Sequence, residues 1–114
     1  MILSKNDVEK LQLKYPGTIP IIISKDATLK YKWYSKDNND LVKILAYETT
    51  TMFDFKLKIL AKLKSLNYTV TDTIYISCGG TILNSNNIPL SYIAERYAID
   101  GALYMKLHGE NAFG

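Results

Sequence analysis

Residues 51–66 carry apolar side chains at spacings of three and four: Met52, Phe55, Ile59, Leu63 and Leu66. A stripe on this period predicts a helix, to about Ser65, with one apolar face. Thr51 followed by Asp54 forms a capping-box pattern at its start. Lys58, Lys62 and Lys64 fall mostly off the stripe and read as a solvated face. Such a helix must bury its stripe against another layer, and the flanking sequence offers strands on both sides.

Upstream, "TIPIIIS" is β-branched and nearly all apolar, as in a strand covered on at least one face. Pro20 removes one ladder donor and belongs where that strand bends or lacks a partner. "LVKILAY" is a second strand, and its internal Lys43 points to a sheet edge. Downstream, "DTIYISC" is a third strand closed by Gly79 and Gly80, and "GALYMKL" is the last. "NNIPLSYIAERYAI" lies between them as a short helix capped by Asn86 or Asn87. Residues 4–15 form an opening helix, with Ser4 and Asp7 as another capping box and Tyr15, Pro16 and Gly17 as its stop. Residues 25–40 read as a long surface connection around Tyr31, Trp33 and Tyr34. A long helix between two strand pairs is the layout of an α+β β-grasp domain, here a four-stranded mixed sheet.

At 114 residues the chain suits one domain with one core. The expected division is the helix at 4–15, a β-grasp core at 16–108 and a flexible tail at 109–114. A net charge of +3 is weak for nucleic-acid binding, and Arg96 is the only arginine among fourteen basic residues. No nucleic-acid partner is expected. The single cysteine, Cys78, excludes an internal disulfide and suits a reducing compartment. No stretch is long and apolar enough for a signal peptide or a membrane span, so a cytoplasmic location is expected.

Catalytic chemistry has little material. His108 is the only histidine, and it could meet the Cys78 thiol only as a dyad without a third orienting group. "SCGGT" follows a strand but lacks the lysine and the helix of a phosphate-binding loop. No cluster of ligating residues implies a metal, and no cofactor is expected. The chain does not read as an enzyme.

The segments "KLQLKYPGTIPIII", "KILAYETTTMFDFKLKILAKL" and "DGALYMKLHGENAFG" together resemble the autophagy-related protein 8 family, the ubiquitin-like modifiers typified by GABARAP. The resemblance covers nearly the whole chain. The Lys-Tyr-Pro turn and the Gly-Glu-Asn-x-Phe-Gly ending are its most specific parts. It implies a ubiquitin-like fold whose Gly114 is activated by an E1-like enzyme, passed through an E2-like enzyme and joined to the amine of phosphatidylethanolamine. Phe113 would serve in recognition of the tail, and processing and delipidating enzymes would be further partners. Glycine suits that chemistry because no Cβ hinders approach to its carboxylate. Two acyl chains would then hold the domain stably on an autophagosomal or other organelle membrane.

The resemblance also implies docking of cargo-receptor peptides carrying an aromatic residue, two spacers and an aliphatic residue. Such a peptide would add a strand to the edge at residues 43–47. Its aromatic side chain would meet Leu11, Pro20, Ile22, Lys43, Leu45 and Ala102. Its aliphatic one would meet Ala46, Thr50, Phe55 and Lys58. Core packing explains Leu11, Pro20, Ile22 and Phe55 equally well. Thr18 stands where the family carries arginine, Lys58 where it carries leucine and Ala102 where a bulkier residue is common. These departures predict a wider first pocket and a shallower, more polar second one. Attachment to a protein lysine, as in the autophagy-related protein 12 branch, and a binding module that is never conjugated are the alternatives.

Overall fold

The computed structural model describes residues 3–25, 41–65, 75–83, 85 and 87–109. The aromatic connection around Trp33, the tail with Phe113 and Gly114, and the ends of the central stripe at Leu63 and Leu66 fall outside what is described of side chains.

Eight elements follow in order: α1 (Lys5–Lys14), β1 (Thr18–Lys25), β2 (Leu41–Tyr47), α2 (Met52–Ser65), β3 (Tyr75–Cys78), β4 (Thr81–Ile82), α3 (Leu90–Tyr97) and β5 (Leu103–His108). The sheet has five strands in the order β2-β1-β5-β3-β4, with β1 and β5 parallel and the other pairs antiparallel. The expectation of four strands misses β4. Gly79 and Gly80 both take positive φ, +60° and +80°, and this turn returns the chain alongside β3.

The inner face of the sheet and α2 form the core. Alternate residues Ile19, Ile21 and Ile23 of β1 and Leu103, Met105 and Leu107 of β5 are buried there, with Ile76 and Cys78 of β3. Met52, Phe55 and Ile59 bring the stripe of α2 into the same cluster. Burial pushes the Cys78 thiol above its usual pKa, so it stays protonated at neutral pH.

Local chemistry sets the helix starts. Ser4 caps α1 in a reciprocal box with Asp7, whose carboxyl is held below its usual pKa by the Ser4 side chain and backbone. The Thr51 hydroxyl accepts the Asp54 N–H at 3.2 Å at the head of α2. At α3 the asparagine cap is a misreading: the N-cap is Pro89, with no side-chain hydrogen bond. The first N–H groups of α3 go instead to the carbonyls of Thr50 and Glu48, at 2.8 and 2.9 Å. Backbone from a distant turn satisfies those donors, so no capping side chain is required.

Pro20 stands opposite Leu45 of β2, one residue before the parallel pairing with β5 begins at Ile21. The missing donor therefore falls at the end of a ladder.

Candidate functional site

β2 is one edge of the sheet. Glu48 donates to the Gly17 carbonyl at 2.9 Å, which sets the phase of the β1–β2 ladder. Hydrogen-bonded pairs alternate from there, so the backbone groups of Lys43, Leu45 and Tyr47 are directed away from β1. Those residues are the ones an added strand would meet.

Side chains of β2 alternate between two faces. Lys43 and Leu45 lie opposite Ile22 and Pro20 on the outer face, while Ala46 lies opposite Ile19 on the inner face. The ten residues implicated by sequence therefore separate into two groups, one on each side of the edge. Outside are Pro20, Ile22, Lys43, Leu45 and Ala102, with α1, which carries Leu11, packed on β1. Inside are Ala46 and Phe55, with Thr50 in the turn before α2 and Lys58 one turn beyond Phe55. In an extended peptide, residues three apart point to opposite faces. An aromatic-x-x-aliphatic motif laid along β2 would present one anchor to each group.

Exposure differs within each group. Pro20, Ile22, Ala46, Phe55 and Ala102 are buried, and Leu11 and Thr50 are half-buried. Lys43, Leu45 and Lys58 are exposed. The apolar surface that β2 offers to a partner is thus Leu45 together with Tyr47, both exposed on the outer face of the strand. Phe55, at 0% exposure, is first of all a core residue.

Two features that position this edge carry weak sequence signals. Asp100 and Gly101 take φ of +51° and +85° between Ile99 and Ala102, which exchange backbone hydrogen bonds at 2.9 and 3.0 Å. This tight Asp-Gly turn feeds β5. A Cβ on Gly101 would lie 2.8 Å from Cγ1 of Val8, so the glycine also lets α1 settle on the sheet. Thr18 donates its hydroxyl to the Tyr15 carbonyl at 2.6 Å, closing the Tyr-Pro-Gly turn. Where the resemblance implies an arginine, this chain uses the position to hold the turn.

The histidine and the cysteine are not brought together. Cys78 faces inward and donates to the Tyr104 carbonyl at 3.4 Å. His108 lies on the outer face, its Nε2 sharing a hydrogen bond of 2.7 Å with Oγ of Ser77. The dyad that the sequence left geometrically possible does not form, because the period of a strand places the two groups on opposite faces. Among the described residues no group of three or more His, Cys, Asp or Glu is placed to hold a metal ion. No helix among them is long and apolar enough to cross a membrane.

No protein-family model matches the chain, and no curated protein matches it in sequence. The fold does have a solved counterpart. It is similar to the crystal structure of ATG8 from Trypanosoma brucei, with a TM-score of 0.71 and 22% identity over 93% of this chain and 84% of that one. With a helix-crossed mixed sheet, an opening helix and an edge at β2, the chain has an ATG8-like, ubiquitin-like fold.

Proposed function

We propose that this protein is a ubiquitin-like autophagy modifier that docks short peptides along β2 and is conjugated through Gly114 to phosphatidylethanolamine. The observation that carries the reading is the edge strand, whose two faces each hold one of the residue groups that such a peptide would engage. The ATG8-like fold and the Phe-Gly ending support the conjugation half. β5 is the middle strand of the sheet, so a tail leaving it is anchored by pairing on both sides.

The partners follow from this reading. E1-like and E2-like enzymes would carry Gly114 as a thioester, and cargo receptors would supply the peptide strand. Lys43 and Lys58 beside the groove favour peptides with acidic flanks. The protein would move between the cytoplasm and an organelle membrane as lipid is attached and removed.

The mass of the C-terminal peptide, recovered from cell membranes, tests the conjugation. A glycerophosphoethanolamine remnant on Gly114 is the expected result, lost in Gly114→Ala. A branched peptide on a lysine would assign the protein-conjugating alternative. A free carboxylate in every fraction would leave only a binding module.

A further inference from the structure

Toward the Lys25 end of β1, the outer face of the sheet carries a polar row that the docking function does not use. Lys106 of β5 is opposite Ser24 of β1 on one side and Ser77 of β3 on the other, and Ser77 is opposite Ile82 of β4. The three polar residues therefore stand abreast on neighbouring strands, roughly 4.8 Å apart. His108, two residues along β5, is bonded to Ser77. With Gly80 and Tyr104 these side chains line a depression of about 490 Å³.

α1 leaves this part of the face open. No residue of α1 lines the depression; α1 packs on β1 and its Val8 lies beside Gly101, while Leu3 donates its N–H to the Tyr104 hydroxyl at 3.0 Å. Lys106 is exposed and has no ion-pair partner among the described residues. Among the described residues no carboxylate lines the depression. Ser24 holds the Met105 carbonyl only through a long 3.5 Å bond, so its hydroxyl can turn to a ligand at little cost. With the proton on Nε2, the imidazole donates to Oγ of Ser77 and leaves that hydroxyl hydrogen directed elsewhere.

We propose that Ser24, Lys106 and Ser77, backed by His108, form a binding site for a phosphate monoester. An ammonium with a hydroxyl on each side supplies three donors to three terminal oxygens. Two hydroxyl bonds and the spacing between phosphate oxygens span about 8 Å. This matches the outer strands of the row once their side chains lean inward. The cation sits at the centre because the middle strand supplies it.

The test uses the full, unconjugated chain, so it does not depend on the reading of Gly114. Amide resonances are followed while inorganic phosphate or glycerol 3-phosphate is added at constant ionic strength. Saturable shifts at Ser77, Gly80 and Lys106 are expected, and Lys106→Ala should weaken the apparent affinity at least tenfold. Ser77→Ala should weaken it about threefold, and both variants should keep dispersed spectra because their side chains lie outside the core. Co-sedimentation with phosphatidic acid vesicles, lost in Lys106→Ala and absent with phosphatidylcholine alone, would identify a lipid headgroup as the source. Saturation by soluble phosphates without vesicle binding would identify a free ligand. Shifts that do not saturate, or that are equal in wild type and Lys106→Ala, overturn the site.

Discussion

The two edges of the sheet are built differently. β2 spans seven residues and presents alternate backbone groups outward, whereas β4 spans two and ends almost as soon as its hairpin closes. An open strand edge invites pairing with another chain, and a very short edge strand is a common way to blunt it. This molecule blunts one edge and keeps the other long, with Lys43 as the only charge within it. The proposed strand addition is assigned to the long edge, β2. The polar row at Ser24, Lys106 and Ser77 lies instead on the outer face, across β1, β5 and β3.

The largest test of this contrast lies beneath the long edge. Phe55→Ala removes a wholly buried ring and should destabilise the fold by about 3–5 kcal/mol. Urea denaturation would measure it, and a loss below about 1 kcal/mol would mean that Phe55 is an open pocket residue rather than core. A smaller effect concerns binding. Leu45→Asp should weaken an acidic aromatic-x-x-aliphatic peptide about tenfold, or about 1.4 kcal/mol, by fluorescence polarisation. Thr81→Asp, exposed on the short edge, should leave that affinity unchanged. Equal losses from both substitutions would break the comparison. The smallest effect sharpens the account of the short edge. Gly80→Ala meets no neighbouring atom, so its cost isolates the positive φ of the hairpin at about 1 kcal/mol. A thermal melt indistinguishable from wild type would show that the turn can relax to another type.

Much of this architecture was legible in the chain because it is written in local periods. The stripe of Met52, Phe55 and Ile59, the box of Ser4 and Asp7, and the run Ile19–Ile23 each depend on residues a few positions apart. The failures share a cause. Asn86 and Asn87 are the local candidates for a cap, yet α3 borrows the carbonyls of Glu48 and Thr50 from some forty residues upstream. β4 was passed over because two residues have no period of their own, and only pairing with Ser77 and Cys78 makes them a strand. Of the groove, Lys43, Leu45 and Lys58 could be read as surface, but nothing local revealed that Ala102 would be sealed or that Thr18 would bond its own turn.

The sequence by itself determined the three helices, the four longer strands and which of their faces are apolar. Those follow from spacing, propensity and composition, which act within a few residues. Tertiary structure decided that a two-residue β4 closes the other edge, that Cys78 and His108 face opposite ways, and that Ser24, Lys106 and Ser77 line up across three strands. The last residues come from parts of the chain up to eighty positions apart, and only the register of the sheet brings them side by side.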